Sequence, residues 1–157
     1  MPNLFPEDYE EEIVTIEELK ADKPVGYKES IYFDEELGDL VRDGHFKIKS
    51  ATGIEAWEQW CINCLMTERD KYPYYDHIFG IKTEEAFKSN DRQKTESILT
   101  REICESLKND PYGRTDYVVD VLFDWGQDPD AVVISVKVKG VDDVTIDLTT
   151  IIDRRAR

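Results

Sequence analysis

The clearest patterning in the chain lies in its last third. Val132, Ile134, Val136 and Val138 alternate with Ser135, Lys137 and Lys139. Val144, Ile146, Leu148, Thr150 and Ile152 alternate with Thr145, Asp147 and Thr149. A period of two puts one face of a strand on a core and the other in water. Tyr117, Val119, Val121, Phe123 and Trp125 share one parity, with Asp120 and Asp124 on the other. Gly126-Gln127-Asp128-Pro129-Asp130 and Gly140-Val141-Asp142-Asp143 are turn sequences. A three-stranded meander is therefore predicted, with Tyr117 and Val119 on the core side.

Helical spacing takes over upstream. Ser50-Ala51-Thr52-Gly53 opens the first helix, with Ser50 or Thr52 as N-cap and Glu55 in the first turn. Ile54, Trp57, Cys61, Cys64 and Leu65 form its apolar stripe, flanked by Ala56 and Trp60, and its end is expected near Thr67. Thr83 to Lys88 is expected as a short helical turn. Asn90 or Asp91 caps a longer helix to about Lys108, where Leu99, Ile103 and Leu107 recur at every fourth position beside Ile98 and Cys104. Asn109-Asp110-Pro111-Tyr112-Gly113 stops it. Before the first helix, Val25 to Phe33 reads as extended, with Tyr27, Ile31 and Phe33 on one face. Asp34 to Asp43, with Gly38, connects it to Phe46 and Ile48, which alternate with Lys47 and Lys49. A hairpin with a long polar loop follows. The expected fold is α+β, two main helices packed on a mainly antiparallel sheet, spanning residues 25–152 as one domain.

Charge adds flanking segments to that domain. Residues 1–24 hold Glu7, Asp8, Glu10, Glu11, Glu12, Glu17, Glu18 and Asp22 against Lys20 and Lys23. They read as an acidic N-terminal arm, with Ile13, Val14, Ile16 and Leu19 available to dock. Residues 153–157 are a basic tail. The formal net charge is −15 in 157 residues, so nucleic acid and anionic membranes are expected to be repelled and a basic partner surface favoured. No secretory signal or membrane span is expected, because the N-terminus is acidic and no apolar run approaches the ~20 residues a span needs. Three cysteines, Cys61, Cys64 and Cys104, read as reduced thiols of a cytoplasmically made protein.

Candidate chemistry is sparse. Cys61-Ile62-Asn63-Cys64 has the spacing of a redox or zinc motif. A redox cysteine belongs at a helix N-terminus, whereas both of these fall late in a helix on its apolar side. A zinc site needs about four ligands, and Cys104, His45 and His77 stand at no partner spacing. Core packing is the favoured reading. The histidines have no nucleophile motif beside them, and no glutamate stands out in an apolar pocket pattern. No catalytic, cofactor or metal residues are expected. The informative stretch is Leu65-Met66-Thr67-Glu68-Arg69, then Lys71-Tyr72-Pro73-Tyr74-Tyr75-Asp76-His77-Ile78-Phe79-Gly80. Arg69 can bridge several carbonyls or a carboxylate. The aromatics either plug the domain's own core or meet a partner. The stretch is either a helix exit pinned by an arginine or a rigid edge facing a neighbouring subunit.

Gly53-Ile54-Glu55-Ala56-Trp57-Glu58-Gln59-Trp60, Leu65-Met66-Thr67-Glu68-Arg69, Tyr72-Pro73-Tyr74-Tyr75 and Gly80 together resemble the XkdS-like proteins of PBSX-type prophages. Tyr32-Phe33-Asp34, Arg101-Glu102-Ile103 and Leu107-Lys108-Asn109-Asp110-Pro111 fit the same pattern, so the resemblance covers about residues 25–140. These proteins are similar to the small baseplate-wedge, sheath-initiator family of contractile phage tails. The resemblance implies a non-enzymatic virion protein of the tail baseplate, made in the bacterial cytoplasm and present in six copies. It implies contacts with other wedge subunits, tail-tube proteins and the sheath protein, and a start of the sheath by shared strands. Thr67, Glu68, Arg69, Tyr72, Tyr74, Tyr75, Arg114, Ile146 and Leu148 are the residues expected at protein interfaces. Phe79 stands where a tyrosine is more usual. Wedge relatives often carry Glu-Pro-Arg after the second helix, whereas this chain has Asp110-Pro111-Tyr112-Gly113-Arg114, which moves the arginine role to Arg114. Two alternatives are a cell-wall glycosidase of the tail, as an old lysozyme label on the family suggests, and a free acidic module masking a basic partner.

Overall fold

The computed structural model describes residues 29–34, 37–128 and 130–155. The expected acidic arm over residues 1–24 lies outside them, as do Tyr27, Ala156 and Arg157. The described chain is an α+β fold with antiparallel sheets.

Short strands come first. β1 (Ser30–Ile31) pairs with β4 (Ser50–Ala51), and β2 (Phe33–Asp34) with β3 (Asp39–Leu40), all antiparallel. An Arg42–Ile48 bridge continues this folded-back arm. Its tip departs from the sequence pattern. Phe46, expected to alternate with Ile48, has φ +62° and is 84 % exposed. The Asp43 carboxylate explains this: its Oδ1 accepts from the His45 and Lys47 amides at 2.8 and 2.9 Å, forming a side-chain-closed turn. Ser50, a cap candidate by sequence, pairs in β4 instead. Thr52 is the N-cap, with no side-chain cap bond.

Helix α1 (Gly53–Met66) buries Ala56, Trp57, Cys61, Cys64 and Leu65. Ile54 is 41 % exposed, so the stripe starts one turn later than its spacing predicts. The Gln59 amide grips the arm by accepting from the Phe33 amide and donating to the Phe33 carbonyl, each at 3.0 Å. α2 (Thr83–Phe87) is a single turn or so. α3 (Arg92–Lys108) is capped by Asp91, whose side chain accepts from the Gln93 amide.

The large sheet runs β5 (Thr115–Asp124), β6 (Ala131–Gly140), β7 (Thr145–Asp153), in the order β5-β6-β7. β6 and β7 keep their alternation without interruption: Val132, Ile134, Val136, Val138, Ile146, Leu148 and Ile152 are buried. β5 does not. Its register against β6 shifts between Thr115 and Tyr117 and again between Val118 and Asp120. Each extra residue reverses the side-chain phase. Tyr117 and Val119, expected inside, are therefore exposed, and Val118 packs on the core in their place. Beyond the second bulge Val121 and Phe123 face inward as expected.

The buried side chains of α1, α3, β6 and β7 meet in one cluster around Trp57, Leu65, Leu99, Ile103, Val136 and Leu148. Trp57 is its largest member. Its indole N–H donates to Thr115 Oγ1 at 3.0 Å while the ring closes on Gly140. A Cβ on Gly140 would sit 2.8 Å from Trp57 Cη2 and 3.0 Å from Cζ3. Gly140→Ala is expected to lower stability by about 1–3 kcal/mol, read as a lower midpoint in urea unfolding. An unchanged midpoint would contradict this packing.

Candidate functional site

The chain leaves α1 at Thr67 and returns to the core at Ile81. Between them lie Pro73, which cannot donate, and a run of aromatics, so the segment must be held at its base. The Ile81 amide donates to the Thr67 carbonyl at 3.0 Å, and the Arg69 amide to the Ile81 carbonyl at 3.1 Å. Gly80 makes this approach possible. It has φ +93°, and a Cβ there would lie 2.6 Å from the Thr67 carbonyl oxygen.

Arg69 locks the closure from inside. Its Nε donates to the Gly80 carbonyl at 3.0 Å, and Nη2 donates to Ser106 Oγ at 2.6 Å and pairs with Glu102 Oε2 at 3.2 Å. Ser106 Oγ donates to the same Gly80 carbonyl at 2.5 Å. One guanidinium thus joins the loop to α3, the several-partner bridge expected of Arg69. Glu68 turns the other way. Its carboxylate accepts from the Thr83 amide at 3.1 Å, from the Thr83 hydroxyl and from the Glu84 amide at 3.3 Å, supplying α2 with the cap its own Lys82 does not. Thr67 Oγ1 donates to the Asn63 carbonyl at 2.7 Å, closing the last turn of α1.

Above this base the aromatics face outward and touch each other. The Tyr72 ring lies 5.6 Å from Tyr74 and 6.1 Å from Tyr75, and Tyr74 lies 4.8 Å from Tyr75. Tyr75 continues to Phe79 at 4.8 Å, and Phe79 to Trp60 of α1 at 5.9 Å. The ladder runs from solvent, where Tyr74 is 73 % exposed, to the rim of the core. It borders a cavity of about 360 Å³ shared with Asn63, Ile78 and Pro111. Among the described residues, this is where aromatic surface accumulates outside the core. His77 Nδ1 sits 2.8 Å from Asp70 Oδ1 across the loop. That bond raises the His77 pKa above its ordinary value and lowers that of Asp70.

The remaining interface candidates lie inside. Arg114 is fully buried. Its Nε and Nη2 donate to the two Asp110 oxygens at 2.7 and 2.9 Å, and its own amide donates to Asp110 Oδ2 at 2.9 Å. Ile146 and Leu148 point into the core. β7 instead turns Thr145, Asp147, Thr149 and Ile151 outward. Thr67, Glu68 and Arg69 form the loop's base, and Tyr72, Tyr74 and Tyr75 its exposed face. Glu102 stands in the Arg101-Glu102-Ile103 motif with no role assigned to it there, and Ser106 lies outside the motifs. Their signal is in the sequence all the same: both fall on the Leu99-Ile103-Leu107 side of α3, polar residues inside an apolar stripe.

Cys61 and Cys64 are free and buried. Burial raises both thiol pKa values, that of Cys64 to about 11, which favours the protonated thiol at neutral pH. Cys104 is half-buried and also raised. No group of metal-ligating side chains occurs among the described residues, and none of their helices is long and apolar enough to cross a membrane.

Arg69→Met is expected to cost about 2–4 kcal/mol, because it removes the better buried of the two guanidinium groups that pair with the Glu102 carboxylate, leaving only the exposed Arg101 at 3.6 Å. It is also expected to free the loop, speeding tryptic cleavage after Lys71, with Arg69→Lys intermediate. Equal cleavage rates for all three proteins would contradict the lock.

The known family described as contractile injection system sheath initiator has a model that matches residues 29–143. No curated protein matches the chain.

Proposed function

From the membership of this chain in the contractile injection system sheath initiator family, we propose that it is a structural subunit of a contractile tail baseplate. It sits around the tail tube in six copies, touches the larger wedge subunits and the tube, and starts the sheath by pairing strands with the first sheath ring. Its place is the virion or particle, and its source a PBSX-type prophage or a related tail. The observation that carries this reading is the extent of the match, which runs from β1 through β6 and takes in the whole stapled loop.

The surfaces of the chain suit such a role. The tyrosine face at Tyr72, Tyr74 and Tyr75 offers rigid, amphipathic area of the kind that anchors protein interfaces. Thr67, Glu68 and Arg69 hold that face in position, and Arg114 holds the core beneath it. Ile146 and Leu148 fix β7 on the core so that its backbone edge is held straight. The net charge favours basic partners.

A cell-wall glycosidase would need two opposed carboxylates in a cleft, one of them protonated. The buried carboxylates described here, Glu102 and Asp110, are instead paired with Arg69 and Arg114. A non-enzymatic role fits that arrangement. The test is negative-stain imaging of tails produced by a host lacking this protein. Bare tubes without sheath or complete baseplate are expected. Normally sheathed tails would contradict the assignment.

A further inference from the structure

The cavity beside the tyrosine loop is built from aromatic faces and one carboxylate. Trp60, Tyr74, Tyr75 and Phe79 line it, and so does Asp76. The Tyr75 and Phe79 rings lie 4.8 Å apart with 35° between their planes, and Phe79 meets Trp60 edge-on at 63°. At about 360 Å³ the cavity has room for a whole side chain.

Its electrostatics are one-sided. Aromatic faces carry the negative part of the ring quadrupole. Asp76 is exposed, and among the described residues its carboxylate has neither a hydrogen bond nor an ion pair. No lysine, arginine or histidine lines the cavity. The loop's own cations are engaged elsewhere: Arg69 in the base, Lys71 at 5.8 Å over the Tyr72 ring, and His77 on Asp70. Other rings receive a cation from within the chain, as Tyr32 does from Lys49, Trp125 from Arg92 and Tyr117 from Lys139. Among the described residues no such contact reaches Tyr74, Tyr75 or Phe79. Arg114 lies 5.8 Å from the Trp60 ring, but Asp110 neutralises it, so the cavity keeps its negative character.

A neighbour that covers this cavity takes Asp76 out of water. An apolar occupant leaves that carboxylate buried and unpaired, which is costly. An arginine meets both kinds of surface at once. Its flat guanidinium stacks on aromatic faces, and its fork donates to a carboxylate. A lysine ammonium brings a point charge and no plane. We infer that this cavity binds an arginine side chain presented by a neighbouring subunit of the assembly, stacked on the Tyr75 and Phe79 rings and paired with Asp76. The inference deepens the assembly role proposed above and rests on it for the source of that side chain.

The free wild-type chain is titrated with acetyl-arginine amide, and the ring signals of Tyr74, Tyr75 and Phe79 are followed by NMR. The comparison probes are acetyl-citrulline amide, which keeps the shape without the charge, and acetyl-lysine amide. Shifts are expected to be at least about threefold larger with the arginine amide than with either. In parallel, tails are made in a host lacking the protein and supplied with wild type, Asp76→Asn or Asp76→Lys. Sheathed particles are expected to fall about threefold with Asp76→Asn and about tenfold or more with Asp76→Lys, which sets like charge against the incoming arginine. The titration uses the wild-type chain, so its result stands whether or not a variant folds. No shift with the arginine amide, shifts as large with the citrulline or lysine amide, or normal sheathing with Asp76→Lys overturns the arginine site and leaves the assembly role standing. Sheathed tails in the complete absence of the protein overturn the assembly role, and with it the neighbouring subunit as the source.

Discussion

A buried ion pair, Asp110 with Arg114, is the constraint on which the rest of this structure hangs. Asp110 lies just past the end of α3 and Arg114 just before β5, so the pair closes the turn that converts helix into sheet. Both side chains are almost wholly withdrawn from water. Two charges placed there are costly unless every hydrogen-bonding group is met. Here the fork of the guanidinium meets both carboxylate oxygens, and the Arg114 amide adds a third bond. The Arg114 carbonyl accepts from the Val141 amide at 3.0 Å, tying the turn to the far end of β6. Thr115, the next residue, takes the Trp57 indole bond. One turn thereby sets α3, α1 and the sheet in register, and Trp60 and Tyr112 lie against the guanidinium from the solvent side.

Function follows from what this frame holds still. Arg69 repeats the same device at the surface, drawing Gly80 and the loop base onto Glu102 and Ser106 of α3. With both ends of the loop pinned, its tyrosines are displayed on a rigid base, so the binding proposed for them would meet little ordering entropy. The meander works the same way. The inward rows of β6 and β7 are packed under α1 and α3, so the backbone groups on the outer side of β7 are presented in a straight, unbulged line. Among the described residues, the buried charges Asp110, Arg114 and Glu102 are paired and the buried thiols Cys61 and Cys64 lie in the core.

Much of this was legible in the sequence where one physical rule acted alone. The strict alternation of β6 and β7 and the Leu99-Ile103-Leu107 stripe each mark the element found, and of the two cap candidates Asn90 and Asp91 it is Asp91 that caps. The bridging role of Arg69 followed from its guanidinium and its place at a helix exit. Legibility failed where a local event competed with the period. Two bulges in β5 reverse its phase, and nothing in Tyr117-Val118-Val119 announces them. The Asp43 side chain closes a turn that throws Phe46 into solvent, although its neighbours alternate as a strand would. The burial of Arg114 depends on Asp110 four residues earlier, a partnership that only the turned backbone makes and that no motif announces. Ile146 and Leu148 share the buried face of β7, where their alternation with Thr145, Asp147 and Thr149 puts them.

The most direct test of this account is a double-mutant cycle on the buried pair, with Asp110→Ala, Arg114→Met and the double variant unfolded in urea. Each single change is expected to cost about 3–5 kcal/mol, and the double change much less than their sum, giving a coupling of at least about 2 kcal/mol. Costs that simply add, or single variants as stable as the wild type, would contradict it.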